Sequence, residues 1–486
     1  ITEGLVGSEM CIRDRFYVEE PEPGTLMSVA IDAMLDELDP YTVYYPESRI
    51  EDIRFMNTGE YGGIGALVQP IEGQMTIIEV YGGYPAHEVG MMPGDIVREV
   101  DGRTVELTMD VEAVSDLLQG ESGSAVTIAV ERPYGGGRLE FEVERTKVRI
   151  PAVPYSGMLD DRTGYIYLSK FTRGSAGEVR KALMALRDSA GMEQLVLDLR
   201  GNGGGLLNES VSIVNLFVPK GTEIVSTKGK SDKWNKSYVA LGRATAPDLP
   251  LVVLIDGQSA SASEIVSGTL QDLDRAVVVG MESFGKGLVQ QTKDMAFNTR
   301  LKVTVAKYYT ASGRCIQRLD YGGKRDAEGK AIALSDSLLR TFQTRGGRPV
   351  VEGRGIQPDI EVETPFMSTL LQRLLDDHAV FDYATSVASR LDSADVPDPV
   401  SYSLSPDDWT ALEAHLQNKG FTYTTESMAV LEDLKGVVDI EQYEAVAAES
   451  MKDLEKALKP NLVRDLSLFD VEIRQALEEE VVLRFH

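Results

Sequence analysis

Cysteine and histidine are scarce in this chain. Two cysteines, Cys11 and Cys315, and four histidines, His87, His378, His415 and His486, are all it carries. Two thiols make neither a disulfide framework nor a four-ligand zinc site, and they leave the redox compartment open. No run of about 18 apolar residues occurs, so no segment reads as a membrane-spanning helix. No signal peptide is visible either, although the sequence begins at Ile1 and not at methionine. Basic residues are outnumbered, 49 against 77 acidic, for a formal net charge of −28. Such a chain repels phosphate backbones and anionic lipid, which argues against nucleic-acid or membrane-surface binding.

What is present is a long chain of 486 residues with an ordinary apolar fraction of 43%. Length alone suggests about three domains. Residues 1–15 show no periodicity and are set aside as a non-native or disordered leader, which makes Cys11 uninformative. In residues 16–58, the stretch 24–38 carries Leu26, Ala30, Met34 and Leu38 at helical spacing, and Asp39-Pro40 ends the helix. Residues 59–146 alternate glycine-rich turns with short strands around one helix, Val111–Gln119, as in a small, partly open barrel. Residues 147–365 alternate strands and helices, which predicts an α/β core with a largely parallel sheet. In that core Leu249–Ile255 is a continuous apolar run, as for a strand buried on both faces. Residues 366–486 are acidic and mostly helical, with Thr369–Leu375 and Ile440–Leu458 at helical spacing.

Three segments of the α/β region carry chemistry. Ser259-Ala-Ser-Ala-Ser-Glu264 lies between the apolar strand and a helix. A serine there has free backbone N–H groups beside it, the placement a nucleophile needs, yet serine is also a common helix cap. A nucleophilic serine needs a base, and no histidine lies between residues 88 and 377. That argues against a Ser-His-Asp triad without excluding it. Lys286, in Ser283-Phe-Gly-Lys-Gly287, can serve if burial keeps it neutral, and otherwise is an exposed turn lysine. The run Arg200–Gly205 follows a strand and opens a helix. By itself it suits an oxyanion hole, a phosphate cradle or a tight turn equally. No Gly-Lys-Ser/Thr ends it, so it is not a P-loop.

Together these segments resemble the C-terminal processing peptidases, also called tail-specific proteases. The matching stretches are residues 198–207, 255–290, 302–317 and 355–360, in the family's order, and the resemblance spans roughly residues 24–365. It implies a crotonase-type protease core, with Ser261 as nucleophile, Lys286 as base and Gln290 orienting the lysine. It implies an oxyanion hole built from Gly204 or Gly205 together with Ala262. Arg200, Glu264 and Asp272 fall on supporting positions, where fold-stabilising ion pairs are an equal reading. Ser283 stands where threonine is usual, Ala311 where proline is usual, and Gly201 in a variable place; none of these is a proposed catalytic residue.

The β-rich segment resembles a PDZ domain inserted before the core. Gly63, Ile64, Gly65 and Ala66 match its carboxylate-binding loop, and residues 83–102 match the family's signature. Such a loop offers N–H groups to a peptide C-terminus while a strand edge pairs with the peptide. The resemblance thus implies a serine endopeptidase acting near the C-termini of proteins, without cofactor or metal, in a bacterial cell envelope. Its partners would be substrates with free C-termini, with an adaptor or a second copy left open. A non-catalytic PDZ scaffold and an acyl-CoA enzyme of crotonase type are the competing expectations.

Overall fold

The computed structural model describes residue 18 and residues 23–485, except 327–328, 336, 338, 364–366, 393–394 and 397–401. The leader set aside above lies outside these. The described residues form two compact units, one drawn from residues up to 60 and from 149–363, the other from residues 61–148 and from 367–485.

The first unit is built on a six-stranded sheet. Its order is Tyr155–Met158, Thr163–Tyr167, Gln194–Asp198, Leu251–Ile255, Val277–Gly280 and Ile360–Glu361. The first pair is antiparallel and all others are parallel. The helices Ser175–Ser189, Leu207–Val214 and Ala262–Asp272 connect these strands, as parallel neighbours require. Ile166, Leu197, Val253, Val266 and Leu270 are fully buried in one apolar core that also holds Phe171 and Phe217. The Leu251–Ile255 strand corrects the expectation of burial on both faces. Leu251, Val253 and Ile255 are buried, while Val252 and Leu254 are only partly so, because that face is incompletely covered.

A second, antiparallel sheet belongs to the same unit. Its long strand, Arg300–Thr310, pairs with Glu223–Gly229, Leu288–Asp294 and Val43–Tyr45. The last was not legible in the sequence: after the Pro23–Asp36 helix, the chain turns at Asp39-Pro40 and adds three residues to this sheet.

In the second unit, residues 61–148 form an antiparallel sheet in the order Ala66–Ile71, Gln74–Val80, Ile96–Val100, Ala125–Arg132 and Gly137–Glu144. The Val111–Leu118 helix places Val114 and Leu118 in its core with Ile64, Ile77, Ile128 and Val143. The C-terminal helices pack around Leu374, Tyr383, Leu412, Leu416, Ile473 and Leu477. Here the helix expected over Ile440–Leu458 is corrected. One helix, Glu426–Ile440, ends there and another runs Glu444–Leu458, separated by a turn with Gln442 at φ 62°. The apolar spacing continues across the turn, so periodicity alone hid the break.

Candidate active site

Ser261 sits where the central strand gives way to the buried Ala262–Asp272 helix. Its backbone has φ 55° and ψ −108°, a conformation that non-glycine residues rarely hold without help from their surroundings. The help comes from its neighbours. Ser259 and Ser263 are fully buried and donate their hydroxyls to Leu199 O (2.8 Å) and Asn202 O (2.8 Å). Ala260 N–H also donates to Asn202 O, at 3.0 Å. The two flanking serines therefore sew the turn to the glycine-rich loop, and Ser261 alone of the three stays partly exposed.

The glycine-rich loop lies against the serine. Gly204 has φ +98°, and a side-chain carbon there would stand 2.6 Å from Ala260 O and 2.9 Å from Ser261 Cβ. Only glycine fits so close to that serine. The N–H of Gly204 is already donated to Asn202 Oδ1, at 2.9 Å. The N–H groups of Gly205 and Ala262 have no acceptor among the described residues. Of the two glycines considered from sequence, Gly205 thus has the free donor. The loop's arginine, Arg200, is half exposed and paired with buried Asp198 at 2.6 Å. That makes it a brace of the strand end.

Glu264 and Tyr308 join the serine turn to the lysine loop. Glu264 is completely buried. Its Oε2 accepts from Ser261 N (2.7 Å) and Lys286 N (2.9 Å), and its Oε1 from Gly285 N (2.8 Å) and Ser283 Oγ (2.5 Å). Burial raises the Glu264 carboxyl above its ordinary range, against the pull of these four donors. The hydroxyl of Tyr308, also fully buried, lies 3.0 Å from Ser261 O and 2.8 Å from Lys286 O, sharing its proton between them. Sequence reasoning gave Tyr308 no role. The signal was available: a tyrosine on the inward side of a buried strand must find a partner for its hydroxyl.

Lys286 is half buried, and desolvation, helped by the charge of Lys302, lowers its ammonium to about 8 against the opposing pull of Glu264 and Asp39. Its Nζ lies 3.9 Å from the centre of the Tyr41 ring. No hydrogen bond joins Lys286 Nζ to Ser261 Oγ among the described residues. Gln290 does not reach the lysine either; its amide Nε2 donates to Thr304 Oγ1 at 3.1 Å. Asp272 is fully buried against Arg314 (2.8 Å) and accepts from Ser312 N (3.0 Å), a brace at the far end of the helix.

Of the residues matched to a carboxylate-binding loop, Ile64 is buried in the core of the β-rich domain. Gly65 has φ +81° and packs on Tyr84, whose Cβ would lie 2.4 Å from any side-chain carbon added there. Gly63 closes one strand, and Ala66 opens Ala66–Ile71, which is the edge of its sheet. Such an edge leaves backbone groups free to pair with an extended peptide. Among the described residues no cluster of three or more His, Cys, Asp or Glu side chains is placed to hold a metal. No described helix is long and apolar enough to cross a membrane.

Comparison with known proteins adds to this geometry. The profile of peptidase family S41 matches residues 162–328, a PDZ domain profile residues 76–132, and a profile described as "Probable PDZ-protease, C-terminal helical domain" residues 370–486. A carboxy-terminal-processing protease of Bartonella bacilliformis is 35% identical over 304 residues, covering 62% of this chain and 69% of that protein. A "Probable CtpA-like serine protease" of Staphylococcus aureus is 30% identical over 357 residues, covering 73% of this chain and 63% of that one. A solved photosystem II D1 C-terminal processing protease is 27% identical, covers 73% of this chain and 86% of its own, and superposes with a TM-score of 0.40.

Proposed function

This chain belongs to the family of carboxy-terminal-processing serine proteases, and from that premise we propose that it is an endopeptidase cutting proteins near their C-termini with a Ser261/Lys286 dyad. The observation that carries this reading is the double tie between the two residues. Glu264 and Tyr308 each hold the backbone of Ser261 and the backbone of Lys286 at once. A fold that needed only a helix cap and a turn lysine has no reason to couple them.

In this reading neutral Lys286 takes the proton of Ser261 Oγ, and the alkoxide attacks the scissile carbonyl. The oxyanion is met by the N–H groups of Ala262 and Gly205. The C–N bond breaks, and the leaving amine takes the proton from Lys286. A water molecule, deprotonated by the same lysine, then attacks the acyl-enzyme; the acyl C–Oγ bond breaks, Ser261 Oγ takes the proton back from Lys286, and the product acid leaves. Gln290 would orient the lysine after moving off Thr304. The PDZ edge strand Ala66–Ile71 and the loop Gly63–Ala66 would capture the substrate tail. The cell-envelope location and the crotonase-type core come with the family resemblance and belong to this reading.

Cleavage of one protein substrate, with and without its last few residues, tests it. Ser261→Ala and Lys286→Ala should each lower cleavage by about a thousandfold or more, with melting temperatures unchanged. Removing the tail should raise KM. Near-normal turnover by Lys286→Ala would sink the dyad, and equal cleavage of both substrates would remove tail recognition.

A further inference from the structure

The turn Asp39–Thr42 reaches into the site from the N-terminal segment of the same unit. The N–H of Tyr41 donates to buried Asp39 Oδ1 at 2.9 Å, and Thr42 Oγ1 donates to Asp39 Oδ2 at 3.1 Å. Thr42 in turn accepts from Thr304 N at 3.3 Å, and the next residues pair with the Arg300–Thr310 strand, Val43 opposite Lys302. Thr304 is also the residue whose hydroxyl holds Gln290. Tyr321 meets the Tyr41 ring edge-on, 6.0 Å between centroids at 87°. The ring is thereby fixed with one face toward Lys286 Nζ, 3.9 Å from its centre.

A ring face attracts an ammonium through the quadrupole of its π-system and does not attract a neutral amine in that way. The face that Lys286 occupies therefore favours the protonation state in which lysine cannot act as a base. Resting on the dyad reading, we infer that Tyr41 is a positioning residue that holds Lys286 as an ammonium away from Ser261, so that the N-terminal turn sets the pH at which the base becomes available. The other charged and titratable groups facing the lysine are Glu264 on the buried helix, Asp39 on the turn and Lys302 on the long strand. Lys302 Nζ itself reaches Tyr45 OH at 3.2 Å. Glu264 and Asp39 favour the ammonium and Lys302 opposes it, and none of them is altered by changing the electrons of the Tyr41 ring.

The test replaces Tyr41 with phenylalanine and then with phenylalanines carrying increasing numbers of ring fluorines. Fluorine drains the face of negative potential while nearly keeping the shape of the ring, so folding is not at stake across the series. A fluorophosphonate probe reads the free dyad: Ser261 Oγ attacks phosphorus, fluoride leaves, and Lys286 accepts the serine proton. Labelling rate is followed against pH by intact mass. In the wild type it should rise with pH and level off above the lysine's titration. Across the fluorinated series the rising limb should move to lower pH, by roughly 0.5 to 1 unit in total. A limb that stays in place through the series overturns the inference while leaving the dyad intact. Absence of Lys286-dependent labelling at every pH in the wild type overturns the dyad reading, and this inference with it.

Discussion

Glu264 is the residue on which the geometry of the site most depends. It accepts four hydrogen bonds without an exposed surface, and two of them come from Ser261 N and Lys286 N. Glu264→Ala should lower stability by about 3 kcal/mol or more, because several donors would be left buried and unpaired. In the proposed mechanism it should also cut kcat far more than it changes KM, since the positions of Ser261 and Lys286 both slacken. Urea unfolding and steady-state kinetics on one preparation check both; a variant that is destabilised but keeps its kcat would make Glu264 a purely structural cap. At this scale the sequence was partly readable. Ser261 and Lys286 lie in short patterns that, one by one, suit a helix cap and a turn lysine as well as a nucleophile and a base; the dyad came with the resemblance. Glu264 and Asp272 carried two equal readings; in the structure Glu264 accepts from both loops and Asp272 pairs with Arg314. Tyr41 gave no signal, because its proximity to Lys286 arises from a strand pairing across more than two hundred residues of sequence.

In the proposed mechanism the glycine-rich loop is the element that holds an anion beside Ser261. Its glycines looked ambiguous in sequence, since a cradle, a hole and a turn need the same backbone freedom. The missing side chain of Gly204 is what lets the loop touch the serine turn. Gly204→Ala should push Ala260 and Ser261 out of register and lower cleavage by about a hundredfold or more, the scale of losing one oxyanion donor. Cleavage assays with a fluorogenic peptide would measure it, and a variant of undiminished activity would show that the loop has room to yield. Strand and helix identities in the core were legible because apolar periodicity and turn residues agree there. The Glu426–Ile440 and Glu444–Leu458 helices were harder, because the apolar spacing runs through the turn between them.

At the scale of the molecule, the β-rich domain and the C-terminal helices belong to one unit, which composition did not foretell. Asp382 on the Ala379–Ala388 helix accepts from Tyr134 OH at 2.7 Å, bonds His415 Nε2 at 2.8 Å, and lies 3.3 Å from Lys419 Nζ. Burial acts to raise its carboxyl, but bonds from His415 and Tyr134 and the charge of Lys419 outweigh it and hold Asp382 below its ordinary range. A carboxylate whose folded pKa is depressed contributes stability above its unfolded pKa of about 3.9, and that contribution fades as pH falls through the folded value. Asp382→Ala should therefore lower stability by about 1–3 kcal/mol at neutral pH and by progressively less below about pH 4. Calorimetric scans at several pH values would follow this, and a loss that stays constant down to pH 2 would contradict it. No sequence pattern linked Tyr134 to Asp382, since each reads alone as an ordinary surface residue.

The central claim, a serine whose proton is taken by a lysine rather than a histidine, is tested most directly by locating the reactive hydroxyl. Wild-type protein and the Lys286→Ala variant are treated with a fluorophosphonate probe above pH 8, digested and mapped by mass spectrometry. The account predicts the adduct on Ser261 in the wild type and its loss in Lys286→Ala. An adduct on another residue, or equal labelling of Ser261 without the lysine, would contradict it.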